Sequence, residues 1–146
     1  LKSAEKLVEY VIQGEVDFLV PLGTTGESVV LSEDEQNAFL QVVIDINKGR
    51  KPILVGCGGN ATALVIKRME ALQKFPVQGF LSVTPYYNKP SQKGMLEHFN
   101  SLASASIALI SLPIVAWESC GETCALLINS DSYFDMLYGA ETMPSE

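Results

Sequence analysis

The sequence predicts an α/β fold, a parallel sheet with helices between its strands, and three observations predict it. Apolar runs begin at Asp17, Pro52, Gly79 and Leu112, at intervals of 35, 27 and 33 residues, each long enough for a strand and its crossover helix. Between them lie stretches with apolar residues at helical spacing. The runs themselves are apolar on both faces, as the strands of a parallel sheet are.

Taken in order, the first helix spans about Ser3 to Ile12, with Ala4, Leu7, Val8 and Val11 on one face and Gly14 as its stop. Asp17 to Gly23 reads as a short buried strand that ends in a Gly and Thr-rich turn. Ser32 and Glu35 stand in a capping box, where hydroxyl and carboxylate satisfy backbone donors reciprocally, and Phe39, Val42, Val43 and Ile46 continue as the apolar face of a helix. Pro52 to Gly56 is the next strand, and Ala61, Val65, Met69 and Leu72 line the helix after it. Gly79 to Thr84 is a third strand; Met95, Phe99 and Leu102 mark a helix that starts through Ser91. Leu112 to Trp117 reads as a fourth strand and Thr123 to Ile128 as a further helix, while Asp131 to Glu146 show no assignable pattern.

Composition narrows the function classes. The 146 residues fit one domain of roughly 150. With 47% hydrophobic and 18% charged residues the chain is of globular type. The longest mostly apolar stretch, Ile107 to Trp117, is interrupted by Ser111 and Pro113 and is far shorter than the ~20 residues of a membrane-spanning helix, so no membrane partner is expected. The N-terminal residues lack a signal-peptide pattern, and three cysteines, Cys57, Cys120 and Cys124, make no disulfide framework; both point to the cytoplasm. A net charge of −7 argues against nucleic acid, whose phosphates require clustered Lys and Arg. All 10 Lys and Arg lie at or before Lys93, so any chemistry that needs an amine or guanidinium must find it there.

The loops that follow the strands carry the chemistry. Two architectures fit the alternation: a doubly wound sheet, with its ligand at a switch point, or a TIM barrel, with its ligand in the loops after the strands. Gly56-Cys57-Gly58-Gly59-Asn60-Ala61 matches the loose G-x-G-x-x-A pattern, but Lys74 to Gln92 contain no acid to bind a ribose, so a tight glycine turn is the better reading and no cofactor is expected. Gly23-Thr24-Thr25-Gly26-Glu27 pairs two hydroxyls with backbone N–H groups freed by flanking glycines, a small anion nest suited to a carboxylate. Tyr86 and Tyr87, between Pro85 and Pro90, put phenols on a rigid loop. Cys120 and Cys124 offer two ligands where a structural zinc site needs four, so no metal is expected, and His98 beside Phe99 reads as a surface or helix-packing residue.

Gly23-Thr24-Thr25-Gly26-Glu27-Ser28 followed by Val83-Thr84-Pro85-Tyr86-Tyr87-Asn88-Lys89-Pro90-Ser91 resembles the dihydrodipicolinate synthase branch of the dihydrodipicolinate synthase and N-acetylneuraminate lyase family. The likeness covers about residues 3 to 106; the related lyases usually keep the first motif and lack the second. It implies a TIM (β/α)8 barrel of which this chain has about strands two to five, with a partial barrel over 1–119 and an unplaced tail over 120–146. It also implies a class I aldolase type of lyase, condensing pyruvate with aspartate 4-semialdehyde through a lysine Schiff base in lysine biosynthesis. Carried onto this chain, Thr24 and Tyr87 are the implied catalytic proton-relay residues and Thr25 the implied binder of the pyruvate carboxylate. Tyr87 would reach a partner subunit's site across a tight dimer, and such dimers often pair into tetramers.

Two departures qualify that implication. Trp117 stands where the family's second relay tyrosine belongs, and an indole N–H cannot relay a proton; the family's substrate-gripping arginine has no counterpart beside it. The Schiff-base lysine belongs to a later strand, yet no lysine follows Lys93, and Lys89 and Lys93 belong to a loop and a helix start where an ammonium stays solvated. A full barrel needs about 250 residues. The sequence therefore reads as part of such a lyase; the alternatives are a non-catalytic half-barrel or interaction module, another pyruvate-dependent aldolase of the family, and, most remotely, a nucleotide binder.

Overall fold

The computed structural model describes residues 2–88, 90–106, 109–112 and 126–128. Helix α1 (Lys2–Gln13) buries Val8 and Ile12 one turn apart, with Val11 half-buried beside them. Leu7, one step round the helix from Val8, falls outside this stripe and is exposed. The helix stops at the expected place by a different device: the Gly14 N–H still bonds to the Tyr10 and Val11 carbonyls, and Glu15 makes the left-handed turn, with φ of 57°.

The strand expected over Asp17 to Gly23 is reduced to an extended segment around Leu19. Its ladder to the next strand consists of Leu19 N–H to Pro52 O (2.8 Å), Leu54 N–H to Leu19 O (2.9 Å) and Gly56 N–H to Pro21 O (2.9 Å). Pro21 has no N–H to extend the ladder, and Leu22, with φ of 60°, turns the chain away.

Helix α2 (Glu33–Asn47) begins at the predicted capping box: Ser32 N–H donates to Glu35 Oε2 at 2.8 Å, and Ser32 Oγ accepts from Glu35 N–H at 3.3 Å. The Ser32 N–H and the Ser32 hydroxyl, both donating to Glu35 Oε2 at 2.8 Å, hold the Glu35 carboxyl below its ordinary pKa. Leu40 and Val43 are buried, with Phe39, Ile44 and Ile46 packed at their edge. Asn47, also buried, closes the connection to the next strand by donating to Lys51 O (2.7 Å) and accepting from Lys51 N–H (3.0 Å). Arg50 ties this corner to α1 through a two-pronged pair with Glu9, at 3.0 and 2.7 Å, and caps the Ile46 and Asn47 carbonyls.

β1 (Leu54–Gly56), α3 (Thr62–Leu72), β2 (Gly79–Leu81) and α4 (Gln92–Ala105) follow as predicted, with shorter strands. Val65, Met69 and Leu72 form the buried stripe of α3, and His98, Phe99 and Leu102 that of α4. Ser91 Oγ accepts from Gly94 N–H at 3.1 Å and so caps α4. The fourth strand begins earlier than predicted: β3 is Leu109–Leu112, and it shares Leu112 with the expected Leu112 to Trp117, the remainder of which lies outside the described residues. The helix expected over Thr123 to Ile128 is overturned, because Leu126–Ile128 form β4, antiparallel to β3. A short apolar run carries no periodicity to separate helix from strand, and the free edge of β3 supplies backbone partners that decide the matter.

The Leu19 segment, β1, β2 and β3 lie side by side in chain order, all parallel. Among the described residues the strand order never reverses, so there is no switch-point crevice, and the arrangement is that of a TIM-barrel wall. Its two faces differ. Leu19, Ile53, Val55, Cys57, Phe80 and Ser82 are buried on the face that the helices cover. Their neighbours Phe18 and Val20, on the opposite face, remain 47% and 40% exposed. Phe80 is fully buried, so Phe80→Ala should cost about 3–5 kcal/mol in urea unfolding, while Leu7→Ala on the exposed side of α1 should change stability by less than about 0.5 kcal/mol.

Candidate active site

Parallel pairing sends the connections after the Leu19 segment, β1 and β2 out of the same edge of the sheet. The first is two tight helical turns, Thr24–Gly26 and Ser28–Val30, joined at Glu27, whose φ is 48°. Gly26 N–H bonds to Gly23 O at 2.9 Å and Glu27 N–H to Thr24 O at 3.0 Å. Those two amides are therefore committed to the turn. The donors left for a ligand are the amides and hydroxyls of Thr24 and Thr25, which have no partner among the described residues; both threonines are exposed. Gln36 on α2 clamps the second turn, donating to Ser28 O at 2.9 Å and Leu31 O at 3.2 Å.

In the second connection the glycines answer to neighbouring strands. The space a side chain would need at Gly58 holds Val83, whose Cγ2 and N would lie 2.8 and 3.0 Å from an added Cβ. The G-x-G-x-x-A likeness is thereby accounted for by packing. Cys57 between them is a buried free thiol, pushed up to about 12 by burial against the opposing pull of Arg68, and its Sγ lies 3.9 Å from Val65 O. It stays protonated at neutral pH and supplies no thiolate.

The third connection carries Tyr87, 90% exposed, with φ of 77°. A bulky residue in the left-handed region is uncommon, and strain of this kind concentrates at functional sites. No hydrogen bond joins Thr24, Thr25 and Tyr87 among the described residues; topology places them at one edge of the sheet, with their polar groups unengaged. Lys89, Trp117, Cys120 and Cys124 lie outside the described residues. Lys93 is in solvent on α4, 3.8 Å from Glu97 one turn on. Both arginines have structural duties: Arg50 on Glu9, and Arg68 on Gln36 (3.0 Å) and Asn37 (2.9 Å) of α2. Among the described residues no three His, Cys, Asp or Glu side chains gather as metal ligands, and no helix is long and apolar enough to cross a membrane.

His98 is a buried packing residue. Its Nδ1 shares a 2.8 Å hydrogen bond with Thr62 Oγ1 of α3, and its ring meets Phe99 edge to face at 5.1 Å. The Thr62 partner, 36 residues away, leaves no signal in the spacing. Nor does the sequence disclose the buried Asn47 and Ser82, or the contact of Gly58 with Val83.

A barrel wall with an unengaged hydroxyl turn and an exposed, strained tyrosine at the C-terminal edge of its strands is the class of protein that the fold defines: a TIM-barrel scaffold. Residues 1–123 match the model of the dihydrodipicolinate synthetase family, and the chain belongs to that family. It is 38% identical over 127 residues to the 4-hydroxy-tetrahydrodipicolinate synthase of Flavobacterium psychrophilum, covering 87% of this chain and 42% of that relative. Among solved structures, the 4-hydroxy-tetrahydrodipicolinate synthase of Methylacidiphilum fumariolicum SolV superposes with a TM-score of 0.73 at 40% identity, over 76% of this chain and 37% of that one. The chloride-inhibited dihydrodipicolinate synthase of Acinetobacter baumannii complexed with pyruvate does so with a TM-score of 0.73 at 38% identity, over 76% and 38%. The chain thus spans about two fifths of the length of the relatives it matches.

The buried histidine sets a pH dependence. Burial lowers the His98 pKa from its ordinary 6.5, so on unfolding the imidazole becomes the stronger base and the unfolded chain takes up the proton first. Its contribution to stability is present in full above pH 6.5 and is lost as the pH falls below that value toward the folded pKa. His98 is the single histidine of the chain, so urea midpoints measured from pH 7.5 to 5 should fall in the wild type and fall less steeply in His98→Gln.

Proposed function

We propose that this chain forms part of a class I aldolase type of lyase that condenses pyruvate with aspartate 4-semialdehyde, the activity that gives its relatives their name. The observation that carries the reading is the Thr24–Thr25 turn, whose amides and hydroxyls have no partner among the described residues and lie at the sheet edge from which Tyr87 also emerges. Pyruvate's carboxylate would accept from the Thr25 hydroxyl and the adjoining amides. Thr24 and Tyr87 would pass the protons that carbon–carbon bond formation and dehydration require, with Tyr87, fully in solvent, set to reach a second subunit's site in a dimer. The free amine for the imine must be desolvated, and Lys93, paired in solvent with Glu97, does not meet that need.

Two measurements test this. Thr25→Val keeps the side-chain shape and deletes one donor to a charged oxygen, worth about 1.5–3 kcal/mol, so pyruvate binding by NMR titration should weaken by one to two orders of magnitude. Equal affinity would remove the carboxylate assignment. Incubation with pyruvate and borohydride should leave the intact mass of this chain unchanged while a full-length relative gains one reduced pyruvate; an adduct on Lys93 would show that a solvated lysine suffices.

A second reading, a non-catalytic half-barrel, is favoured by one observation: β4 pairs antiparallel with β3, at the edge where a barrel wall continues with a parallel strand. Failure of the wild-type chain to bind pyruvate in the same titration would favour it.

A further inference from the structure

The turn that carries Thr24 and Thr25 is flanked by glycines, yet neither needs to be one. An added Cβ at Gly26 would meet nothing within 4 Å, at Gly23 its nearest neighbour would be Val20 Cγ1 at 3.6 Å, and neither has a left-handed φ. The demand for glycine lies on the next strand, at Gly56, the last residue of β1. A Cβ there would lie 2.0 Å from the Leu22 carbonyl oxygen, 2.5 Å from its carbon and 2.8 Å from Gly23 N, all backbone atoms that no rotamer can move aside. The Gly56 N–H also donates to Pro21 O at 2.9 Å. Thus the Leu22–Gly23 peptide immediately before the turn rests on the bare α-carbon of Gly56, and the Pro21–Leu22 peptide is held by the Gly56 N–H.

Leu22 explains why this seat matters. It holds φ of 60°, a conformation that a leucine keeps only when its surroundings dictate it, and its side chain is buried in the core. The core grips one side of Leu22, and Gly56 receives its carbonyl on the other. Because Thr24 follows two residues later, the direction in which its amide and that of Thr25 face depends on this backbone contact between two strands. The same device recurs more softly at Gly58, where the obstructing Val83 Cγ2 is the end of a side chain.

We propose that Gly56 is a positioning residue for substrate, the backbone seat that aims the Thr24–Thr25 turn at a carboxylate. The proposal rests on the reading of that turn as the carboxylate site, and it deepens it by placing the control of its geometry on a residue that touches no substrate. Gly56→Ala must push the Leu22 carbonyl off β1 and swing the turn. Donors displaced by on the order of 1 Å lose productive geometry, so the pyruvate dissociation constant should rise by at least about tenfold.

The test is 15N NMR of the full chain with pyruvate as the probe. In Gly56→Ala the Gly23 to Glu27 amides should shift, and the Gly26 and Glu27 amides should exchange faster with solvent, while the α4 amides keep their positions. Leu22→Gly combined with Gly56→Ala frees the carbonyl to rotate away at the cost of the buried Leu22 side chain, so this double variant should be less stable than the wild type and, measured at low temperature, bind pyruvate weakly. A folded single or double variant with wild-type affinity and unchanged turn amides overturns the proposal. If the wild type does not bind pyruvate but the turn amides move in Gly56→Ala, the seat stands and the carboxylate reading falls.

Discussion

Parallel pairing of the Leu19 segment, β1, β2 and β3 in chain order is the constraint from which the other features descend. Each strand must be followed by a crossover, and α2, α3 and α4 follow in turn, so the helices cover one face and bury Leu19, Val55 and Phe80 beneath Leu40, Met69 and Leu102. Because the strands run the same way, every strand-to-helix connection leaves by one edge. Thr24, Thr25 and Tyr87, widely separated in sequence, therefore share that edge without any bond between them. The order of strands also settles which of two architectures the alternation stood for, since a reversal is what makes a switch-point cleft and none occurs among the described residues.

The price of sealing the helix-covered face is visible in its polar groups. Asn47 meets both of its amide needs on Lys51, and so stitches α2 to β1 at no loss. Ser82 Oγ and His98 Nε2, by contrast, are buried with no hydrogen-bond partner among the described residues, and a buried group left unpaired costs on the order of 1–3 kcal/mol. The apolar core that surrounds them is large enough to carry such terms. Burial in it lowers the His98 pKa, and the partner of the other ring nitrogen among the described residues, the Thr62 hydroxyl, is uncharged.

The elements that sequence reasoning recovers are those whose cause is local. The Ser32–Glu35 box is three residues wide, the stripe Val65, Met69, Leu72 follows from helical spacing, and both stand in the structure as read. The hydroxyl turn and the tyrosine loop were legible because their motifs are contiguous, and the family likeness that they carried is the one the wider comparison shows. What was not legible depends on contacts between distant segments. Gly56 looks like part of a glycine-rich loop until Leu22 is placed against it, and Thr62 has no visible tie to His98. β4 departs from the expected helix for the same reason: an apolar run of three residues takes its conformation from the edge it finds, and β4 finds that of β3.

The electrostatics of the edge follow from what the rest of the fold consumes. With a net charge of −7, and with Arg50 and Arg68 spent on Glu9, Gln36 and Asn37, the described chain presents no guanidinium to an anionic substrate. Among the described residues the proposed carboxylate site has neutral donors, the amides and hydroxyls of Thr24 and Thr25. Such donors act through direction more than through charge, because a dipole's attraction falls off steeply with angle and distance whereas a cation's does not. A site of that kind is only as good as the backbone that aims it. That is why a leucine held at a left-handed φ, and a glycine with no room for a methyl, are found directly behind the two threonines.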